Sequence, residues 1–340
     1  MDDRALALRA GFEAMGAQVV DPPILQPAET LLDLYGEDIR ARAYVTSDAL
    51  RGEQMLRPDF TVPVVEMHMA HGAEPARYTY AGLVFRRQEN DPGRASEYIQ
   101  VGYEIFDRTD PAAADAEVFA ALAAAVQHVP AAPHTGDIGL LTAAVSGLEA
   151  SDARKAALLR HIWRPDRFRR LLDRFSGAAP RGPVADLSDA PQVGKRSQAE
   201  VQARLETLHK DTQDPPTNTE FLHRLLDVAG PMPAAIDDLH HLSQEAPAIA
   251  PAVTRLTQRA TALEARGIDV SSLPFATQFG RTSMEYYDGF VFAFTAEGHP
   301  PVASGGRYDA LTQRLGKGVE IPAVGGVVRP GVMAAMGCAS

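Results

Sequence analysis

Two apolar stretches rich in aromatic and β-branched residues, Arg77 to Arg87 (RYTYAGLVFRR) and Glu97 to Asp107 (EYIQVGYEIFD), flank a polar loop from Gln88 to Ser96. Strand, polar loop and strand predict an antiparallel hairpin, and the rest of the chain has to be arranged around the sheet it belongs to. Upstream, Leu6, Leu8, Phe12 and Met15 recur at helical spacing over residues 2–16, with Asp2 or Asp3 as N-cap and Gly16 as the stop. A short strand at 17–20 ends at Pro22-Pro23, and residues 41–65 read as strand, turn and a helix capped by Asp59 that runs through Val65 and Met69. Downstream, Asp110-Pro111 opens an Ala-rich helix to about Val129, and a short strand is expected near Asp137–Leu141. From about 142 to 266 the pattern is helical, apart from 186–219, whose Pro, Ser, Asp and Gln read as an exposed loop. Strand character returns at 284–294, and residues 302–309 read as strand, glycine bend and helix. Mixed strands, a helical block, then strands again predict an α+β domain: one core over residues 1–340 built on an antiparallel sheet, with a helical insertion at about 150–245.

Several function classes are argued against by what the chain contains. It has 340 residues, 45% of them hydrophobic, enough for a sizeable core, and a formal net charge of −11. An acidic surface repels nucleic-acid phosphates unless a local basic patch intervenes. The single cysteine, Cys338, excludes an intrachain disulfide and a multi-thiolate metal site. The acidic start Met1-Asp2-Asp3-Arg4 lacks an export signal, and no apolar run approaches the ~20 residues of a membrane span, so a soluble, cytoplasmic protein with no membrane association is expected. Gly316-Lys317 fits the end of a phosphate-binding loop, but Leu311 holds the earlier glycine position and Gly318 follows the lysine. His68 and His71 have HxxH spacing without a third ligand and are expected on a partly exposed helix face, and His240-His241 on a solvated one. No cofactor and no metal site are expected.

The informative feature is a scatter of polar residues on predicted strands and their flanks: Asp59, Thr61, Arg86, Gln100, Glu104, Tyr287 and Tyr308. Gln100, Gly102 and Glu104 share one strand face by the two-residue period, and a glycine between two polar side chains leaves room for something to lie on the sheet. Pattern alone favours ordinary strand-surface polar groups.

Those segments resemble histidyl-tRNA synthetase, a class II aminoacyl-tRNA synthetase. Leu56-Arg57-Pro58-Asp59-Phe60-Thr61 resembles its LRPEGT segment; Phe85-Arg86-Arg87-Gln88, Gly93-Arg94 and Tyr98 to Glu104 resemble motif 2; Met284-Glu285-Tyr286-Tyr287 and Gly305-Gly306-Arg307-Tyr308-Asp309 resemble the two histidine motifs. The resemblance implies a dimeric class II fold. It also implies that Asp59, Thr61 and Gln100 hold the α-amino group of histidine, that Glu104 and Tyr287 address its imidazole, and that Tyr308 lies beside it. A carboxylate suits an ammonium through charge-assisted hydrogen bonds, and a carboxylate with phenols suits both imidazole nitrogens.

The departures matter as much. Thr282 stands at the arginine of the RGLDYY motif, with Arg281 one residue away; Gln88 replaces the motif 2 glutamate; Gly331 and Val332 fall on the Glu-Arg of motif 3, and Pro330 disfavours the interior of the helix which that motif needs. After motif 3 the sequence stops at Ser340, so no anticodon-binding domain is expected. Adenylation requires positive charge at the transferring phosphate. A chain with the amino-acid pocket but not the ATP clamp resembles the regulatory subunits of ATP phosphoribosyltransferase in histidine biosynthesis. That resemblance implies a non-catalytic, homodimeric partner of a short catalytic subunit within a hetero-oligomer, with L-histidine as effector and no tRNA. Arg86, Arg94 and Arg281 are the candidates for a phosphate or carboxylate contact. The alternatives are a synthetase-like ligase that adenylates histidine or a related compound, which Arg86 favours, and a dimerisation platform with a relic pocket.

Overall fold

The structure is a computed structural model that describes residues 3–35, 43–88, 95–178, 197–282 and 285–337. A nine-stranded sheet runs in the order β1-β5-β6-β12-β11-β10-β7-β9-β8, where β1 is Gln18–Val19, β5 Ala76–Phe85, β6 Glu97–Phe106, β7 Ala132–Asp137, β8 Ala229–Pro231, β9 Pro274–Ala276, β10 Phe290–Thr295, β11 Ala303–Arg307 and β12 Ala323–Val328. Its pairs are antiparallel except β1 with β5 and β7 with β9. The expected hairpin forms the longest ladder, from Ala76 opposite Phe106 to Phe85 opposite Glu97. A small sheet, β2 (Leu25–Pro27), β4 (Gly52–Leu56) and β3 (Val45–Asp48), stands beside it.

The strand period gives the large sheet two different faces. Odd residues of β6 meet helices: Tyr103 stacks on Phe12 of α1 (Asp3–Ala14) at 5.2 Å. Nearby, Phe119 of α4 (Pro111–Ala125) packs on Phe290, Phe292 and Phe294 of β10. The N-terminus of α4 is capped by Asp110, which accepts from the Ala113 N–H at 2.9 Å. Even residues of β6, Gln100, Gly102 and Glu104, face the other way, toward the start of α3 (Thr61–His71). The helix α2 (Ala28–Tyr35) precedes β3.

Several expectations need correction. The strand near 137–141 is instead β7 followed by α5 (Ile138–Ser146): Asp137 caps that helix at the Gly139 N–H, and Ile138, Leu140, Leu141, Ala144 and Val145 are all buried, so the segment has no polar face to reveal a helical period. Within the expected loop at 186–219, α8 (Gln198–Gln213) forms behind a capping box in which Ser197 and Glu200 satisfy each other's backbone N–H groups; residues 186–196 lie outside the described residues. Gly305 and Gly306 lie within β11 rather than at a bend. His68 is buried, stacked on Phe106 at 4.0 Å with Nδ1 3.0 Å from the Tyr78 hydroxyl, not on an exposed face. Helix α13 (Pro330–Ala335) does form, because Pro330 occupies its first turn, where a missing N–H costs nothing.

The helical block comprises α6 (Asp152–Arg160), α7 (Pro165–Ser176), α8 and α9 (Glu220–Asp227), after which β8 joins the large sheet through β9. Helices α10 (Met232–Glu245) and α11 (Ala250–Ala265) follow, and α12 (Asp309–Leu315) links β11 to β12. Among the described residues no helix is long and apolar enough to cross a membrane.

Candidate functional site

Glu104 is the centre of the even face of β6. It is fully buried and accepts three hydroxyl hydrogen bonds: Thr61 Oγ1 at 3.1 Å and Tyr80 OH at 2.8 Å on Oε1, Tyr308 OH at 2.5 Å on Oε2. A carboxylate has about four acceptor positions, so one on Oε2 stays open to a further donor. Space there comes from Gly325 on β12, paired with Glu104: a Cβ at Gly325 would stand 1.4 Å from Oε2. Burial pushes the Glu104 carboxyl up to about 7; the hydroxyl bonds from Tyr308, Tyr80 and Thr61 pull it down, and Asp59 pushes it up again. No cation ranks among these causes.

The elements around Glu104 are fixed by identifiable contacts. Arg57 donates through Nε to the Leu83 carbonyl at 2.9 Å and through Nη1 to the Pro22 carbonyl, and its guanidinium lies 3.8 Å over the Phe60 ring. Phe60 in turn stacks on Tyr80 at 4.2 Å. Arg86 Nε donates to the Pro58 carbonyl at 2.7 Å. The loop carrying Asp59 is thereby held against the end of β5, and Asp59 Oδ1 accepts the Val62 N–H at 3.4 Å at the start of α3. Tyr287 is buried, and burial with the charges of Glu104 and Asp59 raises its phenol above the ordinary range, against the opposing charge of Arg329. Its neighbour Asp288 accepts the N–H groups of Asp309 (3.2 Å) and Ala310, which ties the Tyr287 loop to the first turn of α12. Burial, then the charge of Asp309, pushes Asp288 up to about 7.

Asp59, Thr61, Glu104, Tyr287 and Tyr308 therefore form one buried cluster. Gln100 shares the β6 face of Glu104; it is fully buried, and among the described residues neither its Oε1 nor its Nε2 has a hydrogen-bond partner. Orphaned buried amides are rare and call for a ligand, an ion or water. Of the cationic candidates, Arg86 lies against the Asp59 loop, and Arg94 falls outside the described residues. Arg281 is directed at the helical block: its Nε donates to the Ile162 carbonyl at 2.8 Å and its guanidinium lies 4.7 Å from the Phe168 ring. Both contacts lead away from the Glu104 cluster, so a carboxylate contact from Arg281 would require it to leave Ile162.

Sequence reasoning missed Tyr80, Arg57 and Arg329. The room left by Gly102 is filled by the Tyr80 ring, since a Cβ at Gly102 would stand 2.0 Å from Tyr80 Cζ. The available signal was cross-strand: an aromatic residue opposite a glycine on a predicted hairpin. Arg329 donates to the Pro301 carbonyl at 2.9 Å and to Ser304 Oγ at 3.0 Å, and carries positive charge to the Tyr287 side of the cluster.

The family model for histidyl-tRNA synthetase matches residues 3–330. ATP phosphoribosyltransferase regulatory subunits from Agrobacterium fabrum and Brucella anthropi are 32% and 30% identical, covering 96% and 94% of this chain and 94% and 93% of their own. The chain belongs to the histidyl-tRNA synthetase-like family of ATP phosphoribosyltransferase regulatory subunits. Among solved structures, an ATP phosphoribosyltransferase regulatory subunit/histidyl-tRNA synthetase from Bacillus halodurans superposes with a TM-score of 0.71 at 21% identity, over 98% of this chain and 78% of that one. A histidine–tRNA ligase subunit from Alicyclobacillus acidocaldarius gives 0.62 at 25% identity, over 98% and 93%. The α+β fold with a mostly antiparallel sheet is thus that of the class II synthetases.

Proposed function

We propose that this chain is a non-catalytic regulatory subunit that joins a short ATP phosphoribosyltransferase catalytic subunit in the cytoplasm, activates it, and transmits feedback inhibition by histidine. The observation that carries the reading is the buried, unpartnered amide of Gln100 on the same strand face as a carboxylate with one open acceptor position. Histidine supplies what these groups lack. Its ammonium is a donor for Gln100 Oε1 and Asp59, and an imidazole N–H is a donor for Glu104 Oε2. Glu104 at about 7 titrates in the same range as an imidazole, so carboxyl and ring can share a proton near neutral pH. Gly331 and Val332 at the motif 3 Glu-Arg positions oppose adenylation by the same pocket.

Histidine acts on the assembly only by binding its active and inhibited states with different affinity. The test is co-purification with the short catalytic subunit, then phosphoribosyl transfer assayed with and without histidine. Activation that histidine reverses, and that Glu104→Gln renders insensitive to histidine, supports the proposal; pyrophosphate exchange above background by this chain alone replaces it with the ligase reading that Arg86 favours. Calorimetry that detects no histidine binding to either the free chain or the assembly removes the effector role.

A further inference from the structure

The helix that follows Tyr308 is capped from another part of the chain. Tyr308 stands immediately ahead of α12, the place from which a side chain ordinarily caps a helix. Its hydroxyl is bound to Glu104 Oε2 instead, and its side chain makes no capping bond. The first four N–H groups of a helix need partners outside the helical ladder. Here the Tyr308 N–H donates to the Ala323 carbonyl at 2.9 Å, and the Leu311 N–H turns back to the Tyr308 carbonyl at 3.1 Å. The two between them, those of Asp309 at 3.2 Å and Ala310, are taken by the Asp288 carboxylate, one on each oxygen. The carboxylate of Asp309 itself is engaged elsewhere: it accepts Arg307 Nη1 at 2.9 Å and the Ala323 N–H at 2.8 Å.

The same residue fixes Tyr287. The Asp288 N–H donates to the Arg307 carbonyl at 3.0 Å, so three hydrogen bonds staple the backbone beside one phenol to the backbone beside the other. The Tyr287 ring lies over Gly306, where a Cβ would stand 2.8 Å from its Cδ1. The rings of Tyr286 and Tyr308 meet edge to face at 6.1 Å. Tyr287 and Tyr308 come from segments 21 residues apart in sequence, and Asp288 joins them. Because Tyr308 spends its side chain on the pocket, its helix depends on Asp288 for the cap that Tyr308 cannot give.

We infer that Asp288 is a positioning residue of the Glu104 pocket: by capping α12 from the Tyr287 segment it sets the Tyr308 hydroxyl on Glu104 and holds the Tyr287 ring beside it. Of the three hydroxyl bonds to Glu104, that from Tyr308 pulls its carboxyl down most. Loss of the cap frees the first turn of α12, lets Tyr308 withdraw, and raises Glu104. The consequence for histidine affinity rests on the proposed effector role of the pocket, whereas the control of Glu104 through Tyr308 does not.

The test reads Glu104 directly, by NMR of the full chain labelled at the glutamate δ-carbon, with the signal assigned by its loss in Glu104→Gln. Asp288→Ala removes the cap and is expected to raise the Glu104 midpoint by at least about 0.5 and to weaken histidine binding in calorimetry at least about 10-fold. Asp288→Asn gives up the charge but keeps an acceptor oxygen at the same reach. Asn caps a helix as well as Asp does, so this variant is expected to keep the wild-type midpoint and histidine affinity within about 2-fold. A purely local role for Asp288 lowers the melting temperature and leaves the Glu104 midpoint where it is; that result overturns the inference, and so does an Asp288→Asn chain that behaves as Asp288→Ala. If Asp288→Ala does not fold, Asp288→Ser, shorter and with a single acceptor atom, is expected to raise the midpoint by a smaller amount, and no rise overturns the inference equally. A raised midpoint in Asp288→Ala, with no histidine binding even in the wild-type chain or its assembly, supports the positioning role and removes the effector reading, which keeps the two failures apart.

Discussion

Tyr103 and Glu104 are neighbours on β6 that point to opposite faces of the sheet, and each belongs to a buried carboxylate–tyrosine contact. On the helix-covered face, Tyr103 OH donates to Glu117 Oε1 at 2.6 Å, and Arg77 and Arg266 bond the same carboxylate. Burial pushes Glu117 up, but the bonds from Arg77 and Tyr103 and the charges of Arg77 and Arg266 outweigh it and leave the carboxyl below the usual range. Deeper on that face, Asp115 takes Arg259 at 2.7 Å and Arg307 at 2.7 Å, and Arg259 also holds Asp137 at 2.9 Å. On the Glu104 face the donors are neutral hydroxyls, and the carboxyl rises instead. Desolvation acts on both faces, so the sign of the shift is decided by whether an arginine is present. A carboxylate locked to arginine is a strut; one held by hydroxyls, with an acceptor position open, still has affinity to offer a cationic ligand.

The contrast can be broken most severely on the arginine side. Arg259→Met strands Asp137 and half of the Asp115 contact in a buried setting and is expected to cost about 3–5 kcal/mol, read as a fall in the urea midpoint; a loss under about 1 kcal/mol would show that the network holds nothing together. On the hydroxyl side the sign reverses. Folded Glu104 titrates at about 7 against an ordinary 4.5, so between those values the folded chain keeps a proton that the unfolded chain releases. Its contribution to stability is therefore largest below pH 4.5 and falls by about 3 kcal/mol as pH rises through 7. Glu104→Gln should flatten that slope in urea unfolding followed from pH 5 to 8, stabilise the chain at pH 8, and abolish histidine binding in calorimetry. An unchanged slope would mean that burial does not raise this carboxyl.

Gly325→Ala tests the space rather than the charge. The added methyl group takes the place of Oε2, at an overpacking cost of about 1–3 kcal/mol, and histidine binding should fall with it. If calorimetry finds wild-type affinity, the open acceptor position is not the effector's. The smallest effect is expected from Tyr80→Phe. Losing one hydroxyl donor costs about 1 kcal/mol and moves the Glu104 titration further up, visible as a higher midpoint in the same pH series.

The sequence was most legible where a motif and a local period coincide. Thr61, Glu104, Tyr287 and Tyr308 could be named because residue-by-residue likeness carried roles that no spacing reveals, and the hairpin pattern already placed Gln100 and Glu104 on one face. What stayed hidden depends on distant pairing. Tyr80 matters because the ladder sets it opposite Gly102, and Arg307 because it meets Asp115, 192 residues away in sequence. Helix α8 was obscured by polar composition although its capping box stood in view, and α5 by apolar residues too uniform to show a period. Pro330 argues against a helix interior, whereas the helix begins with it.

Gly102 also has a bearing on how the hairpin finds its alignment. A shift of β5 by one residue would bring Val101 or Tyr103 beneath the Tyr80 ring and exchange the carboxylate face of β6 for its apolar face. Only the observed alignment gives that ring a place to lie. The one residue of β6 without a side chain thus acts as a key for strand pairing, and a mutation there would be read first as misfolded protein and only afterwards as lost regulation.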